Sequence, residues 1–273
     1  VLLLFAAALL TVMSKQARKL IIRHIDFSKP GNRPLCCVLL SDLHVSRLPI
    51  HWDYIFTKIA KEQPDFLLIA GDLANGEKDG PAILDFFTVL TAYTACPVYV
   101  VYGNHDNNHL FHNEPSAKKI FTKRLMEISS RIRVLENESE LFRSGDRSIL
   151  LCGLGDVQSN QADVAALLRQ KRKEADAAGA ALLLLSHNPD ILLRLAPRCA
   201  DFGFFGHTHN GQVLLPFRLE FKLLRRKDIL PGQGYIYGPY TYKEMPIYIS
   251  AGLGNSVFAI RYKTTPEIVS VLL

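Results

Sequence analysis

The chain predicts an α/β fold with two sheets flanked by helices, and three observations lead there. Short apolar runs alternate with segments of helical period through most of the sequence. Five of those runs are followed at once by a polar motif: Asp42-Leu43-His44, Gly71-Asp72, Gly103-Asn104-His105-Asp106, Ser186-His187 and Gly206-His207-Thr208-His209. Strand ends are where open α/β sheets place their sites. The 273 residues, 48% of them hydrophobic, are enough for one large core, and no internal repeat or low-complexity segment interrupts them.

The elements follow in order. After a polar Pro/Gly stretch from Ser28 to Pro34, the apolar run from Cys36 to Leu40 predicts a buried strand, and Trp52 to Lys61 predicts a helix that returns the chain. A strand from Phe66 to Ala70 comes next, then a helix from about Pro81 to Tyr93, where Pro81 suits a first helical turn. Val98 to Tyr102 predicts a third strand and Ser116 to Ser129 a basic helix. Short strands are expected near Ile132 to Leu135, Leu141 to Arg143 and Ile149 to Cys152. A charged helix over Ala162 to Ala177, a strand over Ala181 to Leu185, a short helix over Pro189 to Leu195 and a strand over Phe202 to Phe205 complete the motif-bearing part. The remainder reads as strand-rich, through Gln212 to Leu215, Pro246 to Ser250, Val257 to Tyr262 and Ile268 to Leu272.

Three regions are expected: the remnant of an N-terminal membrane anchor over residues 1–14, a basic linker over 15–34, and a catalytic domain over 35–273. Only Thr11 interrupts the apolar run from Val1 to Met13, and Lys15, Arg18, Lys19 and Arg23 follow it. As a helix this run would be about 20 Å long against a hydrocarbon core of ~30 Å. Because the chain opens on Val rather than Met, the run reads as the end of a signal anchor, with a buried or amphipathic terminal helix as the alternative. Positive charge after the run would keep the following domain on the cytoplasmic side of a membrane. The five cysteines, odd in number and without Cys-x-x-Cys spacing, read as reduced core residues and argue the same way.

The motifs differ in specificity. Asp42 and His44, two apart in an extended segment, face the same way. Asp72 offers two oxygens, and Gly71 allows close backbone approach. Gly103-Asn104-His105-Asp106 says more, because it joins a neutral amide oxygen, an imidazole for proton transfer and a carboxylate able to fix that imidazole's tautomer. Ser186-His187 says little alone. His207 and His209 repeat the alternate-residue geometry with two imidazoles. Mixed oxygen and imidazole donors suit transition metals, and there are too many for one ion. Together the motifs read as a hydrolase with two metals.

With all five blocks in order, residues 35 to 273 resemble the calcineurin-like metallophosphoesterase superfamily, whose signature is Asp-x-His, Gly-Asp, Gly-Asn-His-Asp/Glu, a separate His and Gly-His-x-His. The resemblance implies a four-layer α/β/β/α sandwich. It implies one metal held by Asp42, His44, Asp72 and His209, and a second held by Asp72, Asn104, His187 and His207, with Asp72 bridging. It assigns His105 as a non-ligand histidine facing the phosphate, a proton donor or transition-state stabiliser, and Asp106 as that histidine's partner. The cofactor it implies is a pair of divalent ions, Mn²⁺ first, with Zn²⁺ or Fe²⁺ compatible with the same donors.

Gly206 to Phe217, and the tail through Ser250 to Ser256, Ile260-Arg261-Tyr262 and Pro266-Glu267-Ile268, are similar to the membrane-associated phosphodiesterase branch. That branch includes cell-envelope phosphodiesterases and the chlamydial-type UDP-2,3-diacylglucosamine diphosphatase of lipid A synthesis. Asn210 departs from it, standing where the common pattern has the first of two glycines. The leading expectation is hydrolysis of UDP-2,3-diacylglucosamine to the lipid monophosphate and UMP at a membrane surface. A broad-specificity envelope phosphodiesterase is the alternative, and a nuclease or a non-catalytic scaffold ranks below it. The net charge of +6 suits an anionic ligand or surface, whereas no aromatic stacking platform favours nucleic acid. Two basic stretches, Lys118 to Arg124 and Arg218 to Lys227, are candidate anion contacts, the second with interleaved Phe217, Leu219, Phe221, Leu223 and Leu224. Arg169 to Lys173 reads as a solvated helix face, and His24, His51, His109 and His112 as surface residues, with a place lining the cleft near residue 105 as the alternative for His109 and His112.

Overall fold

The computed structural model describes residues 2–28, 33–159, 162–223 and 228–273. The elements are α1 (Leu2–Ala17), β1 (Ile21–Asp26), β2 (Cys36–Leu40), α2 (Trp52–Lys61), β3 (Phe66–Ala70), α3 (Gly80–Tyr93), β4 (Val98–Val101), α4 (Pro115–Glu127) and β5 (Ile132–Val134). Then come β6 (Glu138–Ser144), β7 (Arg147–Gly153), α5 (Val164–Ala177), β8 (Ala181–Leu185), β9 (Phe202–Phe205), α6 (Leu219–Leu223), α7 (Ile229–Gly232), β10 (Gly238–Tyr242), β11 (Met245–Ile249) and β12 (Glu267–Leu272). They form two six-stranded mixed sheets, ordered β1-β12-β2-β3-β4-β5 and β10-β11-β9-β8-β7-β6. Strands β2 to β5 run parallel, as do β7, β8, β9 and β11. All five motifs therefore leave carboxyl ends of parallel strands.

The alternation of side chains along each strand builds the layers. In β2, Cys37 and Leu39 face the second sheet and meet Leu151, Leu183, Phe204 and Tyr248, while Val38 and Leu40 face the other way. That outer face is covered by Ile55, Phe56 and Ile59 of α2 and by Ile83, Phe86, Phe87 and Leu90 of α3. On the far side, α5 lays Val164, Leu168 and Ala175 over Leu150, Cys152, Leu182 and Leu184. Strands buried on both faces cannot alternate apolar with polar, which is why they read as continuous apolar runs. Each fully buried Leu or Phe contributes about 1.5–3 kcal/mol, enough in sum to hold the strand ends still.

Residues 15–34 are more than a linker. They include the end of α1 and the edge strand β1, which pairs in parallel with β12 from Ile21 opposite Glu267 to Asp26 opposite Leu272. A short edge strand with exposed Arg23 and His24 gives no clean apolar alternation, so its sequence hides it. Two expected strands are absent. Gln212 to Leu215 makes only an isolated bridge through Val213 to Tyr262, and Val257 to Tyr262 is otherwise an irregular loop. Left-handed backbone at Asn210, Gly211 and Gln212 turns the chain out of any sheet there. Asn210, with φ 49°, supplies the conformation a glycine would, as asparagine does more readily than other side chains. Strand β10 was not expected from its sequence. Lys222, Leu223 and Leu224 to Lys227 of the second basic stretch lie outside the residues whose side chains are described.

Candidate metal centre

Both sheets contribute to one cluster. Asp42 and His44 follow β2, Asp72 follows β3 and Asn104 follows β4, whereas His187 follows β8, and His207 and His209 follow β9. The turns that carry them are tight: Asp42, His44, Asp72, His207 and His209 all have φ between 43° and 73°. Non-glycine residues held there cost roughly 1–3 kcal/mol each, so the surroundings must over-determine them. Several backbone bonds do so. Asp42 and His44 donate their N–H groups to the carbonyls of Gly71 and Asp72, and Gly206 donates to His187. Gly71 itself sits at φ +75°, and a Cβ there would lie 2.7 Å from the Gly103 nitrogen and 2.9 Å from the His187 Cβ.

Two groups of donor atoms share Asp72. In the first, Asp42, His44, Asp72 and His209 are all buried, with candidate ligand atoms within 4.8 Å of one another. His44 Nε2 lies 3.2 Å from His209 Nε2 and 3.7 Å from Asp72 Oδ2, and His209 Nε2 lies 3.4 Å from Asp42 Oδ1. In the second, His187 Nε2 is 3.3 Å from the same Asp72 Oδ2 and 3.2 Å from Asn104 Oδ1. His207 Nδ1 is 3.0 Å from Asn104 Oδ1 and 3.2 Å from His187 Nε2. The expected donors thus converge, with Asp72 Oδ2 between the two groups.

The chemistry of this donor set fits divalent cations. His44 donates its Nδ1–H to the Ala74 carbonyl at 3.0 Å, and His187 donates its Nδ1–H to the Ala70 carbonyl at 2.8 Å, which leaves each Nε2 lone pair turned into the cluster. Carboxylate, amide and imidazole acceptors then crowd together with too few protons among them. Burial drives the His44 ring down to about 4, so the ring is neutral at ordinary pH and its Nε2 lone pair is available as a donor. Burial likewise opposes charge on His187, but Asp72, Asp42 and Asp156 outweigh it and push that ring up to about 10. Burial would raise Asp72 as well, yet His187, His44 and His105 hold it well below the usual carboxylate range. Positive charge is demanded at this point. A divalent ion would meet that demand with more charge than a proton and would displace it.

His105 stands beside the cluster, its ring 5.0 Å from that of His44, with a buried Nδ1 that has no hydrogen-bond partner among the described residues. Its backbone N–H is donated to Asp72 Oδ1 at 2.9 Å. Asp106 corrects the expectation that it partners His105. Its Oδ1 accepts the N–H groups of Leu73 and Ala74, and its Oδ2 accepts that of Gly103, all at 2.9 Å. The carboxylate is fully buried and ties the turn after β3 to the turn after β4, so it positions Asp72 and Asn104 and does not touch the imidazole.

Four further residues belong here. The exposed ring of His109 lies 5.0 Å from His105 on a π-helical turn, at the cleft and not away from it. Asp228 Oδ1 lies 3.2 Å from His207 Nε2 and accepts from it, directing Nδ1 inward. Asp156 is fully buried after β7, with Oδ1 unpaired among the described residues. It is an acidic residue at a strand end, and the pattern that found the other motifs could have found it. Arg261, also fully buried, donates to the carbonyls of Ala251, Gly252 and Gly254 and fixes the loop that closes over Asp42. No local pattern marks Asp228, whereas Arg261 lies in the Ile260-Arg261-Tyr262 segment of the tail, which gave it no role.

A family model described as calcineurin-like phosphoesterase matches residues 37–211. The chain is 29% identical over 262 residues to the phosphodiesterase YaeI of Escherichia coli, covering 91% of this chain and 86% of that protein. It is 25% identical over 241 residues to the metallophosphoesterase YkoQ of Bacillus subtilis, covering 88% and 83%. It is 24% identical over 276 residues to the UDP-2,3-diacylglucosamine pyrophosphatase LpxG of Chlamydia trachomatis, covering 85% and 81%.

Proposed function

The chain belongs to the calcineurin-like phosphoesterase family, and from that premise we propose that it hydrolyses a phosphodiester or pyrophosphate at a dinuclear centre, with UDP-2,3-diacylglucosamine as substrate. The observation that carries the reaction class is the position of Asp72 Oδ2 between two groups of inward-facing donors. Asp42, His44, Asp72 and His209 would hold one ion, and Asp72, Asn104, His187 and His207 the other. Such a pair supplies Lewis-acid activation of phosphoryl oxygens and neutralises charge developing at phosphorus. We take the ions to be Mn²⁺, with Zn²⁺ or Fe²⁺ served by the same nitrogen and oxygen donors.

The protein's own residues orient and protonate. His207 is held by Asp228, and Asp72 and Asn104 by the buried Asp106, so the donors are fixed before substrate arrives. His105 is the group that meets the leaving oxygen. Burial lowers its affinity for a proton, with Asp72 opposing, and an anionic phosphoryl group beside the ring raises it at the moment a proton is needed.

The lipid substrate is supported by the likeness to LpxG, and a broader phosphodiesterase by the likeness to YaeI. Parallel assays of UDP-2,3-diacylglucosamine and bis-p-nitrophenyl phosphate with Mn²⁺, on the wild type and Asn104→Ala, separate them. Turnover of both by the wild type and of neither by the variant is the expected result. Turnover of the small diester alone removes the lipid assignment, and turnover of neither by the wild type removes the enzyme.

A further inference from the structure

Phe217, Phe258 and Val257 are exposed at 85%, 68% and 60%. Isolated exposed apolar side chains are ordinary, but these lie on two segments that run together. Leu214 donates its N–H to the Tyr262 carbonyl, and Gln212 donates to the carbonyls of Phe258 and Ile260 while accepting from Ser256. Arg47 donates to the carbonyls of Ser256 and Val257 from below. The backbone is therefore pinned, and the apolar tips cannot fold back out of water. Phe217 is moreover held at φ 55°, a conformation that disfavours a bulky side chain.

The same loop joins the N-terminal helix to the site. Arg261 donates its N–H to the Met13 carbonyl and Gln16 donates to Thr265, so the end of α1 is docked, with Met13 and Ala17 buried. The rest of the helix projects: Leu3, Leu4, Leu10 and Val12 are exposed. Lys15, Arg18, Lys19 and Lys263 are exposed where it meets the loop. At the root of that loop, a Cβ on Gly252 would lie 2.7 Å from the Asp42 Cβ.

We infer that Phe217, Val257 and Phe258, with the projecting part of α1, form one face that seats on the surface of an anionic bilayer and turns the metal cleft toward it. Apolar tips with exposed lysine and arginine on the adjoining helix end and loop have the chemistry of an interfacial contact, with tips entering the headgroup region and cations meeting acidic lipid. Among the described residues, no helix is long and apolar enough to cross a membrane. The inference rests on the phosphoesterase reading for its purpose only, since membrane binding is read without turnover.

The test is flotation of the full chain with vesicles of phosphatidylcholine and phosphatidylglycerol, and with phosphatidylcholine alone. The expected result is that the wild type floats with the acidic vesicles, less so at high salt. Phe217→Ser/Val257→Ser/Phe258→Ser should bind about tenfold less or weaker still, and its turnover of a soluble diester should match the wild type. If the triple variant fails to fold, Phe217→Ser and Phe258→Ser singly should each lower binding. Wild type that does not float, or variants that float equally well, would overturn the inference. So would a wild type that dimerises in solution through this face, with substitutions that abolish the dimer and leave flotation unchanged.

Discussion

At His105 the buried Nδ1 has no hydrogen-bond partner among the described residues, and the ring faces the cluster without joining either donor group. A group so placed is kept for something that arrives. His105→Ala is expected to retain two equivalents of metal and to lose roughly 10²–10⁴-fold in turnover, read by metal analysis beside steady-state kinetics; loss of metal would make His105 a ligand. Its neighbour Asp106 acts through the backbone. Asp106→Asn keeps the shape but turns an amide N–H toward the Gly103 N–H that Oδ2 accepts, donor against donor. Urea unfolding should show a loss of roughly 1–3 kcal/mol, with metal affinity falling as well. An unchanged midpoint would return Asp106 to a role at the imidazole.

Among the elements, the turns after β2, β3, β4, β8 and β9 carry the site, and their precision depends on close backbone approach. Gly71→Ala puts a Cβ against Gly103 and His187 at φ +75°. The strain of about 1–2 kcal/mol should appear as a lowered melting temperature and weaker metal binding, since the turn bearing Asp72 must move; full metal affinity would show that the turn has slack. The motif-bearing strands were legible because sheets buried on both faces leave continuous apolar runs. The donors were legible because strand ends gather what the sequence scatters. Strands β1 and β10 were not legible, being sheet edges with exposed polar residues. Asp228 was hidden too, because it reaches His207 only through a fold-level path in which Asp190 accepts the N–H groups of Ile229 and Leu230. The role of Asp106 was misread because sequence adjacency to His105 suggested contact, whereas a fully buried carboxylate takes the nearest unpaired N–H groups.

In the whole molecule, the cluster spans the seam between the sheets. Asp42, His44, Asp72 and Asn104 come from one and His187, His207 and His209 from the other, so a metal bound there would cross-link the two layers. Binding to the folded state alone stabilises by about 2.7 kcal/mol at a hundredfold excess over Kd, so Mn²⁺ should raise the melting temperature and EDTA reverse the rise. An Asp72→Ala variant, which removes the shared oxygen, should show almost none of that shift. A dinuclear centre of this kind requires that Asp72 join two ions. Anomalous diffraction from crystals loaded with Mn²⁺ tests it most directly. Two peaks are expected, one among Asp42, His44, Asp72 and His209 and one among Asp72, Asn104, His187 and His207, with Asp72 touching both. A single peak at full occupancy, or two that do not share Asp72, would contradict it.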